Sequence, residues 1–154
     1  MIYYVIILLV IGLDQLTKLL IRQNFEPGQS LPLIEDVLHL TYVQNQGAAF
    51  SILEGKPLFF IVINAIVVAV ILVYIALRRR TLHPLALTAL ALVAGGGAGN
   101  NLIDRVRFGY VVDFIDFQIW PVFNVADIGV VVGVGLLFIY VIIIESRRAK
   151  KIDK

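Results

Sequence analysis

The chain has 154 residues, 60% of them hydrophobic and 16% charged, against about 45–50% apolar and about 25% charged in an ordinary soluble domain. The net charge of +2 gives no support to a nucleic-acid partner, and the absence of cysteine excludes disulfides, thiolate metal sites and a cysteine nucleophile. Length and composition together imply one domain over residues 1–154, built for a lipid environment.

Four segments reach the roughly 20 apolar residues that a helix needs to cross a hydrocarbon core about 30 Å thick: Ile2–Ile21, Pro57–Leu77, Leu82–Ile103 and Phe123–Ile144. The first carries Asp14 and Lys18. It has no basic region before it and no small-residue cleavage site after it, so it reads as a retained span. Between the first and second spans, Pro27-Gly28-Gln29-Ser30, His39-Leu40-Thr41-Tyr42-Val43 and Gly47-Ala48-Ala49-Phe50-Ser51-Ile52 place β-branched and aromatic residues between breakers. That pattern predicts short strands in an apolar loop lying against the membrane surface. The third span holds Gly95-Gly96-Gly97-Ala98-Gly99, small residues that allow close helix approach. Residues 104–122 alternate aromatic and aliphatic side chains with Asp113 and Asp116, then reach Trp120-Pro121 at an expected interface. The expected fold is a membrane all-α bundle of four transmembrane helices with a small extracytoplasmic β-containing region between the first two.

Basic residues set the orientation. Arg78, Arg79 and Arg80 join the second and third spans, and Arg147, Arg148, Lys150, Lys151 and Lys154 form the tail. Gln23–Lys56 has a single Lys against Glu26, Glu35, Asp36 and Glu54. Both termini are therefore expected in the cytoplasm and segments 22–56 and 104–122 outside it. In this topology the ionisable groups gather near the outer surface. Asp14 stands about 18 Å from the inner edge, Lys18 is one turn further out, and Asn100, Asn101, Arg105, Asn124 and Asp127 lie at outer helix ends.

Intramembrane charges are costly and usually functional. Several of these residues also have a plain structural reading. Asp14 and Lys18 form a self-neutralising i, i+4 pair, Asp104 and Arg105 a helix-end pair, Asn124 a helix N-cap, and Asp116 a solvated or capping carboxylate. Asp127 has no basic residue within a turn of its own helix and needs a partner from elsewhere. Histidines His39 and His83 are too far apart to form a metal pattern or to serve a serine nucleophile. Two carboxylates, Asp113 and Asp127, leave aspartic-protease chemistry: brought close together they share a proton, one taking a proton from water and the other polarising a carbonyl. Spacing alone does not bring them together, and a small transporter or proton channel using Asp14, Lys18 and Asp127 stays open as the alternative.

At these residues the chain resembles signal peptidase II, the lipoprotein signal peptidase of bacteria, over nearly its whole length. The carrying motifs are Asp14-Gln15-Leu16-Thr17-Lys18, Asn45-Gln46-Gly47-Ala48-Ala49-Phe50, Gly99-Asn100-Asn101-Leu102-Ile103-Asp104-Arg105, Val111-Val112-Asp113-Phe114-Ile115 and Phe123-Asn124-Val125-Ala126-Asp127. The doubled Asn100-Asn101 departs from the family pattern of Gly-Asn, and Asn101 is aligned with the family Asn by its distance to Arg105. The resemblance implies an aspartyl endopeptidase of the bacterial plasma membrane with Asp113 and Asp127 as its catalytic pair. Asn101, Arg105 and Asn124 would orient the pair and the substrate, Asn45 would help cradle the lipoprotein, and Asp14 and Lys18 would support the site. The implied substrate is a prolipoprotein carrying diacylglycerol, cleaved just before its lipidated cysteine. The other expected partner is membrane lipid, with no metal, no cofactor and a monomeric chain.

Overall fold

A computed structural model describes residues 1–47 and 57–145. The expectations for Ala48–Ile52 and for the basic tail 147–154 lie outside the described residues. Four helices are long and apolar enough to cross a membrane: Ile2–Asn24, Leu58–Arg78, Pro84–Phe108 and Val125–Ile144. The first is α1 (Ile2–Asn24) and the second α2 (Pro57–Arg78). The third is continuous but changes character along its length. It begins as α3 (Pro84–Gly97), widens into a π-helical stretch over Ala98–Asp104, and tightens again as α4 (Arg105–Phe108). The fourth is α5 (Val125–Ile139), continued by a π-helical turn over Tyr140–Glu145.

Local chemistry fixes where these helices begin and end. α3 starts at His83, whose Nδ1 accepts from Leu85 N at 3.2 Å, with Pro84 at the first helical position, where its missing N–H is no loss. α4 stops at Gly109, whose φ of +78° closes the last turn in the left-handed region. α5 starts with a capping box: Asn124 Oδ1 accepts from Asp127 N at 3.1 Å, and Asp127 Oδ2 accepts from Asn124 N at 3.1 Å.

The expected strands are β1 (Ser30–Ile34) and β2 (Leu38–Asn45), an antiparallel hairpin that turns at Asp36 with φ +57°. A third strand, β3 (Val111–Asp116), pairs antiparallel with β2 and comes from the segment between the third and fourth spans. The sheet order is β1-β2-β3. The β region thus draws on both loops at one end of the bundle, a wider origin than the segment between the first two spans. Ile21, Tyr42, Val112 and Phe114 are buried together, and this cluster seats the sheet on the end of α1.

The bundle is held by close packing of α3 against α5. A Cβ on Gly96 would collide with the Ala126 carbonyl and the Val130 side chain, and one on Gly133 would lie 2.7 Å from Ala89 O. In lipid, association of helices relies on such close approach because there is little hydrophobic drive between them. Exposed Leu8, Val70, Val131 and Phe138 (between 62 and 71% exposed) face outward around the bundle, as a hydrocarbon solvent allows.

Gly96→Ala and Gly133→Ala should each destabilise the protein by about 1–3 kcal/mol through overpacking. Gly12→Ala and Gly135→Ala, where nothing lies within 4 Å of the added carbon, should be neutral or stabilising by up to ~1 kcal/mol, the helix-propensity difference. Thermal unfolding in detergent compares the two pairs, and equal behaviour would contradict the close-packing account.

Candidate active site

The polar residues singled out in the sequence meet at the sheet end of the bundle. Buried among apolar helices are Asp14, Lys18, Asn100, Asp104, Arg105, Asp113, Asp116 and Asn124. They arrive from several elements. α1 supplies Asp14 and Lys18, the π-helical stretch Asn100 and Asp104, α4 Arg105, β3 Asp113, and the start of α5 Asn124 and Asp127.

Lys18 is the hub. Its Nζ stands 2.8 Å from an oxygen of Asp14, 2.8 Å from Asp104 Oδ2, and donates to Asn100 Oδ1 at 2.6 Å. Asp14 turns its other oxygen to Ala126 N at 3.0 Å, tying α1 to the first turn of α5. Asp104 accepts from Gln15 Nε2 at 2.7 Å and from Val112 N at 3.1 Å, tying the π-helical stretch to β3. The Asp14–Lys18 pair is therefore part of a network across three helices and a strand, and Asp104 partners Lys18 from across the bundle. Gly99 makes room for it: a Cβ there would lie 2.9 Å from Asp14 Oδ2.

Asn100 and Asn124 carry this network to the two aspartates. With Oδ1 taken by Lys18 and by Asn124 Nδ2 at 2.7 Å, Asn100 directs its Nδ2 at Asp127 Oδ1, 2.7 Å away. Asn124 Nδ2 donates to Asp113 Oδ1 at 2.6 Å, while its backbone N–H donates to Asp127 Oδ2. One residue thus touches both carboxylates. Asp113 Oδ2 accepts from Asn45 Nδ2 at 2.9 Å. The pairing explains this contact: Val43 is opposite Asp113, so Asn45 is the diagonal neighbour on the same face. Asp127 is half-buried and Asp113 only 3% exposed. The Asp113 carboxyl is pushed up to about 7, chiefly by burial and in part by the neighbouring Asp127 charge, against the opposing Asn45 and Asn124 hydrogen bonds.

The other predicted positions are also located. Arg105 donates to the carbonyls of Gln46 and Gly47, lies over the Phe60 ring at 4.5 Å, and stands within electrostatic reach of Asp113. It holds the end of β2 against the helices. The backbone of Asn101 lies in the π-helical stretch, and its side chain lies outside the described residues. Asn100, left without a role in the sequence reading, is the amide that reaches Asp127. A π-helical stretch offsets side-chain direction from that of an α-helix, a register that spacing to Arg105 does not reveal. Asp116 is buried, not solvated. It accepts from Thr41 Oγ1 at 2.7 Å and from Gln118 N and Nε2 at 2.8 Å, all away from the pair. Among the described residues, no group of three or more histidine and acidic side chains stands ready for a metal ion.

The family model for signal peptidase (SPase) II matches residues 6–143. A lipoprotein signal peptidase of Halothermothrix orenii is 50% identical over 137 residues, covering 89% of this chain and 92% of that protein. One of Halalkalibacterium halodurans is 48% identical over 155 residues, covering 98% and 97%. A bacterial membrane enzyme solved by the in meso method at 1.9 Å resolution has a TM-score of 0.82 at 36% identity, covering 92% of this chain and 93% of its own. Another, solved at 2.3 Å, has a TM-score of 0.83 at 36% identity, covering 90% and 86%. With a family model spanning most of its length and relatives of near-equal length at about half identity, this chain belongs to the signal peptidase II family of membrane peptidases.

Proposed function

We propose that the protein is an aspartyl endopeptidase that removes signal peptides from diacylglyceryl-modified prolipoproteins, with Asp113 and Asp127 as its catalytic pair. The observation that carries this reading is Asn124, which donates to Asp113 Oδ1 and, through its backbone, to Asp127 Oδ2. It holds two carboxylates from different elements around one point. Asp113, raised by burial, keeps the shared proton and polarises the scissile carbonyl. Asp127, with both oxygens accepting N–H groups, is the base. It takes a proton from water as the water oxygen bonds to the carbonyl carbon, and Asp113 gives its proton to the carbonyl oxygen. The tetrahedral species collapses as Asp127 returns its proton to the leaving nitrogen, and a hydroxyl proton goes back to Asp113. Asn100 and Asn124 position the pair, Asn101 helps orient the pair and the substrate as the family resemblance implies, and Asn45 and Arg105 brace the strand edge beside it.

The charge pattern supports an orientation in the bacterial plasma membrane with both termini and Arg78-Arg79-Arg80 in the cytoplasm and the sheet end outside. A site there keeps the substrate's acyl chains in the bilayer while the scissile bond meets water. The chain acts as a monomer. A transporter or channel is not favoured: the chain belongs to a peptidase family, and among the described residues the buried charged groups are confined to the sheet half of the bundle.

Asp113→Asn and Asp127→Asn should each abolish cleavage without loss of folding or insertion, whereas Asp116→Asn should keep substantial activity. Asn100→Ala should lower kcat by about 10²-fold, the cost of one well-placed hydrogen-bond donor. Turnover of a fluorescent precursor peptide by the purified variants reads all four, and near-normal rates in either dyad variant would refute the assignment.

A diacylglyceryl-modified precursor should be cleaved and the same peptide with a free cysteine hardly at all. Asp127 is about one turn into its helix, and acyl burial at about 0.8 kcal/mol per methylene is what holds a peptide at that depth. A chelator should leave the rate unchanged, since carboxylates and amides alone hold no transition metal tightly. Equal cleavage of both precursors would sink the lipoprotein reading and leave the aspartyl one standing.

A further inference from the structure

Behind the catalytic network, on the outer face of α1 and α4, lies a cleft of about 260 Å³. Its rim holds Arg22, Arg107 and Phe108, its wall Leu16 and Leu19, and its floor Lys18 and Asp104. The two guanidinium groups share one ring: Arg22 lies 3.8 Å and Arg107 4.9 Å from the Phe108 centroid. Arg107 also reaches Gln15 Oε1 at 3.5 Å, and Arg22 lies beside the Tyr110 hydroxyl. Among the described residues neither arginine has a carboxylate partner. Asp104, the nearest acid, has its two oxygens taken by Gln15, Lys18 and Val112 N.

Two like charges drawn to one ring without a counter-ion call for an anion. The charges beneath do not supply it, since Asp14 and Asp104 are both turned to Lys18 and Arg105 stands within electrostatic reach of Asp113 and Asp104. Arg22 and Arg107 stand in the last turns of their helices, and each helix end offers about half a negative charge. Two guanidinium charges against two half-charges leave roughly one positive charge, a match for a phosphodiester. The cleft is smaller than the roughly 300–1,000 Å³ of small-molecule pockets, which suits a headgroup and not a whole ligand. Depth gives the source. The arginines sit at the end of the spanning helices, while Leu16 and Leu19, 53 and 47% exposed, continue the same face toward the bundle centre. We propose that this cleft binds the phosphodiester of an anionic phospholipid, with the acyl chains lying along Leu16 and Leu19. The arginine pair is separate from the groups assigned to catalysis, so the proposal does not depend on the peptidase reading.

Native mass spectrometry of the intact chain in detergent tests this with phosphatidylglycerol, phosphatidylcholine and inorganic phosphate as probes. One phosphatidylglycerol should be retained, in clear preference to phosphatidylcholine, whose phosphate is offset by its choline. The double variant Arg22→Gln/Arg107→Gln should weaken that retention by about thirtyfold, at on the order of fivefold per basic residue near an anionic headgroup. Arg79→Gln/Arg80→Gln, equally basic but at the other end of the bundle, should leave it unchanged. Unchanged thermal unfolding in detergent for both double variants establishes that they are folded. Equal retention of the two lipids, an unaffected Arg22→Gln/Arg107→Gln variant, or displacement of the lipid by millimolar inorganic phosphate would each overturn the proposal.

Discussion

A buried ammonium with too few partners would be untenable in an apolar bundle, and the arrangement of this protein follows from how Lys18 is satisfied. Removing an ion from water costs several kcal/mol even after relaxation. Lys18, only 2% exposed, answers that cost with three oxygens, from Asp14, Asp104 and Asn100. Those partners in turn hold Ala126 N on α5 and Val112 N next to Asp113 on β3. A single charge thereby locks three spans and the sheet into one arrangement. It also sets chemistry at a distance. An ammonium can only donate, so Asn100 must turn its oxygen to Lys18 and its NH₂ to Asp127. The orientation of the amide beside Asp127 is thus decided on the far side of that amide, by Lys18 on α1.

The helices were legible because crossing lipid demands long apolar runs, and that demand overrides finer signals. The hairpin β1–β2 was legible too, since Pro27-Gly28 and the β-branched run Thr41-Tyr42-Val43 mark a turn and a strand. β3 was not. Val111–Asp116 is buried almost throughout, so it lacks the alternation that announces a half-buried strand. Its identity as a strand comes from β2, a partner about 70 residues earlier, which no local window contains. The site shows the same division. Asp127 stood out because it has no basic residue within a turn of its own helix, Asp113 drew its case from Asp127, and Asn124 read as the helix N-cap that it is. Asp104 looked like the local partner of Arg105, yet its ion pair at 2.8 Å is with Lys18 from another helix. Spacing to Arg105 singled out Asn101 and left Asn100 without a role, because the π-helical stretch that turns Asn100 toward Asp127 is a backbone state without a residue signature.

The proposed catalytic pair, Asp113 and Asp127, is unequal by construction. Both carboxylates accept two amide hydrogen bonds, so hydrogen bonding alone does not separate them. Burial does: Asp113 lies within the sheet at 3% exposure, whereas Asp127 is at a helix start and half-buried. In the proposed mechanism this asymmetry lets one carboxyl act as acid and the other as base. It also explains why the pair is split between a strand and a helix, since two adjacent positions on one element would share one environment.

The most direct measurement is a ¹³C-carboxyl NMR titration of the purified protein with labelled aspartate, using Asp113→Asn to assign the resonance. The account predicts that Asp113 titrates near 7, holding its proton below that pH and losing it above. In Asp127→Asn that titration should move down, because a neighbouring negative charge has been removed, but should stay above the ordinary 3.8 because burial persists. An Asp113 that titrates at 3.8, or one indifferent to Asp127→Asn, would contradict the shared-proton pair on which the account rests.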